Sequence, residues 1–323
     1  MTSNNFITSE SEHGKRIEDI LKKHFPGVTN QIIKLYLERN YITLNSKSLK
    51  KGQRIKKDSL ICVARIPPDD SGWVPSVEKA PELKIVMDGT NFMVIEKPPG
   101  LPTLPRYPGD FPSLAGAVTK LLPDLVGELA LPREGGIINR LDNLTSGLIL
   151  VGKNHEIIER YRKYYANHHI QKTYYAVVTG HPGSDTWLEG AISNYPSSKD
   201  RVKYNPGSDA EGKRCVSYLE VIDHSKNHSL VKMVTKFGRR HQIRVQLAHL
   251  GTPIVGDIIY GGEKTEGFSD HFLWAQQIII PDPQSHPQTR RKISISSSTL
   301  AKSWHDLLVR YNFYRHFSEV NEF

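Results

Sequence analysis

The stretch GGIINRLDNLTSGLILVGKN, residues 135 to 154, separates Arg140 from Asp142 by a single residue and sets the pair between apolar runs. A carboxylate in that setting has two readings. It is a salt-bridged loop at the end of a buried strand, or a reactive group in a desolvated cleft whose charge depends on its partners. Further along, FGRRHQIR brings Arg239, Arg240 and Arg244 to a place where a strand ends and a helix starts. Free backbone N–H groups at a helix start favour phosphate, and arginines there reinforce the contact. Arg240 and Arg244 are four residues apart, so a helix beginning at the first arginines would put them on one face. Solvated surface arginine is the competing reading of that group. Tyr174, in KTYYAVVTG, adds an aromatic side chain on a strand.

Other chemistries lack their residues. Fourteen histidines invite a metal hypothesis, but none has HExxH spacing: HEIIE at 155 to 159 lacks the second His, and the adjacent His168 and His169 cannot share a helix face. There is no GxxxxGK[ST] or GxGxxG for a nucleotide, and no GxSxG for a serine nucleophile. The two cysteines, Cys62 and Cys215, are far apart and form no CxxC pair. Neither a metal nor an organic cofactor is expected. No apolar run approaches the ~18 residues of a spanning helix. The start, MTSNNFITSESEHGK, has no apolar core of the signal-peptide kind, so a cytoplasmic protein without membrane contact is expected.

The elements that must hold these residues fall into two parts. Residues 13 to 66 carry 13 Lys and Arg against 4 Asp and Glu, a net of +9, while the whole chain of 323 residues, at 43 against 34, has the same +9. One short segment therefore supplies the entire excess, as in a module built to meet a polyanion. Within it, RIEDILKKHF has apolar residues at helical spacing, Thr29 can cap a second helix, and YITLN and LICVA read as strands around a Lys-rich hairpin. This order resembles the S4 RNA-binding domain, although Asn45-Ser46 stands where Asn-Gly is usual and Thr29-Asn30 where Ser-Arg is usual. Residues 1 to 12 read as a flexible tail and 67 to 82, rich in Pro, Ser and acidic residues, as a linker. From 83 to 323 the apolar runs FMVIEKPPG, LILVGK, KTYYAVVTG, CVSYLEVI and SLVKMVTKFG are short and β-branched and read as strands. Helices such as HEIIERYRKYYANHH and RRHQIRVQLAHLG lie between them without strict alternation. The fold class is α+β, with a mixed, mainly antiparallel sheet and flanking helices, plus the small N-terminal αβ module.

Taken with these blocks, NRLDNLTSGLILVGK resembles the RLD-x-x-TSGL signature of the RluA branch of pseudouridine synthases. FMVIEKPPGLPTLP precedes it, and KTYYAVVTG and FGRRHQIRVQLAHLGTPIVGDIIYGG follow, in that family's order, so the likeness spans 83 to about 297. A preceding S4 domain is a common arrangement there. The resemblance implies isomerisation of uridine in RNA to pseudouridine by an aspartate-dependent mechanism with base flipping. Asp142 would be the catalytic aspartate and Arg140 the arginine that enters the RNA stack. Tyr174 would pack on the target base and Arg244 would pair with the aspartate; Arg239, from its place at the helix start, is a further candidate for substrate contact. Asn139 stands where the family most often has His, and Arg240 where Thr or Ser is common; both departures bear on RNA context more than on the chemistry. Ribosomal RNA is the expected substrate, with transfer RNA or a catalytically silent RNA-binding protein as alternatives, and a monomer is expected.

Overall fold

The structure is a computed structural model that describes residues 4–67, 73–198, 200–268, 270–285, 291–297 and 302–317. The chain divides into two compact units, Met1–Pro81 with Leu104–Gly135, and Glu82–Thr103 with Gly136–Phe323.

In the first unit, helices α1 (Ile17–His24) and α2 (Asn30–Glu38) present apolar faces to a four-stranded antiparallel sheet in the order β1-β4-β2-β3. The strands are β1 (Phe6–Ile7), β2 (Ile42–Leu44), β3 (Lys47–Ser48) and β4 (Leu60–Val63). Ile17, Ile20, Leu21, Ile32, Ile33, Ile42 and Ile61 form the core. Thr29 caps α2, its hydroxyl accepting from the Ile32 N–H. The segment expected to be a free tail is structured from residue 6. β1 pairs with β4, and buried Glu12 accepts from Lys23 at 2.9 Å, His24 at 3.0 Å and the Ser9 N–H at 2.9 Å. The polar composition that suggested a tail instead supplies the partners of these bonds. Of the expected linker, residues 68–72 lie outside the described residues, while Trp73 is buried. The same unit also takes in helix α3 (Leu114–Leu121), so the two-part division read from the sequence, with 83 onward as one body, does not follow the contacts.

The second unit is built on a ten-stranded sheet ordered β10-β9-β11-β12-β8-β13-β7-β6-β5, with β14 pairing to β13. In chain order these are β5 (Lys84–Asp88), β6 (Phe92–Lys97), β7 (Ser146–Gly152), β8 (Gln171–Thr179), β9 (Thr186–Asn194) and β10 (Val202–Pro206). They continue as β11 (Lys213–His224), β12 (His228–Thr235), β13 (Leu273–Pro281) and β14 (Lys292–Ser296). All neighbours are antiparallel except β13 and β7. Helices α4 (His155–Ala166), α5 (Gln242–His249) and α6 (Lys302–Arg310) accompany it. Every residue of β7 is buried, which explains why its sequence is a continuous apolar run rather than an alternating one. The class is thus mixed, with a large and mainly antiparallel sheet, as the strand patterns imply. Among the described residues no helix is long and apolar enough to cross a membrane.

Candidate active site

The loop leading into β7 carries Arg140 and Asp142, and its backbone is held tightly. The Asn139 side chain accepts from the Leu150 N–H at 2.8 Å and donates to the Leu148 carbonyl, so this buried position serves the strand entry. The Asn143 carbonyl accepts from Lys97 Nζ at 2.8 Å and from the Gly100 N–H at 2.9 Å. Lys97 is fully buried and also donates to the carbonyls of Pro98 and Leu101, which gives each of its three N–H groups an acceptor. Burial pushes its pKa down to about 7, against the pull of Asp142 and Asp270.

Asp142 meets α5 at Arg244. The guanidinium donates through Nη1 to Asp142 Oδ2 at 2.9 Å, and through Nε and Nη2 to both oxygens of Asp257 at 2.7 and 2.8 Å. Arg244 is 4% exposed and Asp257 2%, whereas the Asp142 side chain keeps 27% of its surface open. The row therefore runs from a buried carboxylate, through a buried cation, to a carboxylate facing the cleft. Burial works against the Arg244 cation, but the fork to Asp257 and the charge of Asp142 outweigh it and raise its pKa.

His241 Nε2 lies 3.8 Å from Asp142 Oδ2, and its Nδ1 is 2.9 Å from the Tyr260 hydroxyl, which also accepts the Val202 N–H. Burial pushes His241 down to about 4, with Asp142 pulling the other way. A neutral ring accepting from Tyr260 at Nδ1 carries its proton on Nε2, the nitrogen nearest Asp142. Buried His271, pushed down to about 3 by burial with Arg244 adding to it, joins Thr145 Oγ1 through Nε2 at 2.7 Å.

One cleft is lined by Arg140, Asp142, Tyr165, Lys172, Tyr174, Phe237, Gly238, Arg239 and Arg244. All five residues singled out in the sequence, Asp142, Arg140, Tyr174, Arg244 and Arg239, border it. Tyr174 is buried, and burial raises its pKa further, so it is an uncharged aromatic wall. Arg140 is exposed. Arg239 donates through Nε to the Arg214 carbonyl at 2.9 Å. The arginine cluster differs from the expected helix face. His241 sits at φ 53° as the N-cap, so α5 starts at Gln242; Arg240 precedes it and is exposed while Arg244 is buried. Left-handed backbone at residue 241 breaks the spacing that would align them.

Sequence reasoning passed over Asp257, His241, Lys97, Tyr165 and Lys172. Asp257 gave the same signal as Asp142, an acid among apolar residues in TPIVGDIIYGG. Lys172 donates to the Phe237 carbonyl at 2.8 Å and to the Tyr165 hydroxyl at 3.2 Å, so it ties the cleft wall together.

The sequence model of the family described as RNA pseudouridylate synthase matches residues 91–249, which include Asp142, Tyr174 and Arg244. Over that segment the chain is similar to the RNA pseudouridine synthase family. It is 28% identical over 268 residues to Ribosomal large subunit pseudouridine synthase D of Yersinia pestis, covering 82% of this chain and 79% of that protein. It is 27% identical over 307 residues to the protein of the same name in Escherichia coli strain K12, covering 92% and 88%. In fold it is similar to human RNA Pseudouridylate Synthase Domain Containing 4, with a TM-score of 0.55 at 20% identity over 71% of this chain and 93% of that one. Pseudouridine synthases of this family isomerise uridine in RNA, and this enzyme has that activity. Among the described residues no group of three or more His, Cys, Asp or Glu is placed to hold a metal ion.

Proposed function

We propose that this pseudouridine synthase acts on ribosomal RNA of the large subunit, with Asp142 as the group that carries the chemistry on a flipped-out nucleotide. The observation that supports this reading most is the partly open Asp142 carboxylate anchored by buried Arg244, in a cleft that also holds Tyr174 and Arg140. The names of the two bacterial relatives support the substrate.

Uridine in a helix hides N1 and C1′, so the nucleotide must leave the stack, at a cost of a few kcal/mol. Arg140, exposed at the cleft rim, fills the vacated place, and Tyr174 borders the extracted uracil. Asp142 acts on the ribose as the N1–C1′ bond breaks. The uracil turns, C5 bonds to C1′, the C5 proton leaves and N1 takes one up. No water is consumed, so one carboxylate suffices where glycoside hydrolysis generally uses two. The reaction is redox-neutral and uses no cofactor. Residues 13–66, S4-like and net +9, bind the RNA backbone through the exposed lysines around the hairpin. The enzyme works as a cytoplasmic monomer on this reading.

Carbodiimide-dependent primer extension on RNA from cells with and without the protein tests the substrate. A stop in large-subunit ribosomal RNA that disappears with the protein is expected. Loss confined to transfer RNA, or no loss anywhere, would overturn this assignment.

A further inference from the structure

Segment 97–103, which leaves the end of β6, grips the loop on both sides of Asp142. On one side the Asn143 carbonyl is held by Lys97 and Gly100. On the other stands Thr103, 5% exposed. Its Oγ1 donates to the Leu141 carbonyl at 2.7 Å and accepts from the Leu141 N–H at 3.2 Å. One hydroxyl thus satisfies both backbone groups of the single residue between Arg140 and Asp142. The Leu141 N–H belongs to the peptide plane shared with Arg140, and its carbonyl to the plane shared with Asp142. These two planes set the directions in which the two side chains leave the loop. Leu141 is itself buried, so water does not stand ready to replace the hydroxyl. A hydroxyl has one donor and two acceptor sites and can serve both groups; an isosteric Val can serve neither.

We infer that Thr103 is a positioning residue whose hydroxyl fixes the peptide planes on either side of Leu141 and so aims Asp142, with Arg140, at the substrate. This rests on the reading that Asp142 carries the chemistry. Reacting groups must be held close to their productive geometry, and an error of about 1 Å costs on the order of a hundredfold in rate. The bond to Arg244 holds the carboxylate end of Asp142, and Lys97 and Gly100 hold the Asn143 carbonyl on the far side; the Thr103 hydroxyl fixes the planes on the Arg140 side.

The test uses the full-length enzyme with Thr103→Val, Thr103→Ser, Thr103→Ala and Asp142→Asn. Single-turnover isomerisation is followed at saturating enzyme on an RNA fragment bearing the target uridine. RNA affinity and the thermal transition are measured alongside. Thr103→Val should slow the rate about tenfold or more with RNA affinity within about threefold, and Thr103→Ser, which keeps the hydroxyl, should stay within about threefold of wild type. Thr103→Ala removes the hydroxyl together with the γ-methyl, introduces no new group, and gives the same readout should the Val variant not fold. A wild-type rate in a folded Val or Ala variant beside an inactive Asp142→Asn enzyme would overturn the role of Thr103 and leave that of Asp142 standing. Equal loss in the Ser variant would also overturn it, because side-chain shape would then matter and the hydroxyl would not. A fully active Asp142→Asn enzyme would instead overturn the reading of Asp142, and the Thr103 proposal with it.

Discussion

Removing one charge from the row Asp142, Arg244, Asp257 should be felt unequally at its two ends. Arg244→Met leaves Asp257 buried and unpaired, and breaking a buried pair in this way costs about 3–5 kcal/mol. Asp142→Asn touches the more open end and should change stability by only about 0–1 kcal/mol. Urea unfolding of the two variants measures both, and the Arg244 variant must be shown folded before its activity is interpreted. The neutral histidines beside this row give a pH signature. His241 and His271 have folded values of about 4 and about 3, below their ordinary 6.5. Unfolding in that window takes up protons, so the stability present above pH 6.5 falls as the pH drops toward 4. His271→Gln should make that slope shallower in denaturant titrations between about pH 7 and pH 4. Asp142 stood out in the sequence as a charged residue between apolar runs, which left two readings open, and its expected role, like that of Arg244, came only from the resemblance of the ordered blocks. Asp257 was not legible, since a buried acid gives no sign of its partner until α5 and the turn at residues 257–260 are folded together.

At the scale of elements, the β2–β3 hairpin shows how local chemistry sets what can be read. Asn45 and Ser46 form its two-residue turn with φ of 47° and 62°, the conformation that favours Asn-Gly. Ser46 bears the cost of a left-handed residue, so Ser46→Gly should raise the stability of this unit by about 0.5–1 kcal/mol, measured by its thermal transition. Strand positions were legible from their β-branched runs, and β6, β7, β8, β11 and β12 fall where those runs predict. The start of α5 was not, because His241 adopts a conformation that its residue type does not advertise. The cleft wall has a similar hidden constraint at Gly238. A Cβ there would overlap the Tyr165 side chain, which Lys172 holds in place, so Gly238→Ala should displace Tyr165 and slow isomerisation more than it lowers RNA affinity.

For the molecule as a whole, the charge asymmetry is a statement about association. Lys50, Lys51 and Lys56 are exposed in the basic unit. Every phosphate left without its lysine should flatten the slope of log affinity against log salt by about 0.7–0.9, so replacing all three by Gln should flatten it by about 2–3. An unchanged slope would place the RNA elsewhere on the enzyme. The basic segment was plain in the sequence because charge counts need no fold, whereas the attachment of residues 104–135 to that unit was not, because it depends on residues distant in the chain. The central claim is that Asp142 performs the isomerisation on RNA held by this molecule. RNA labelled with tritium at uridine C5 reports it directly, since formation of the C5–C1′ bond releases the label to water. The wild-type enzyme should release tritium in a single turnover, and Asp142→Asn, folded and binding RNA within a few fold of wild type, should release none. Release by the Asn variant above about a hundredth of the wild-type rate would show that another group carries the chemistry.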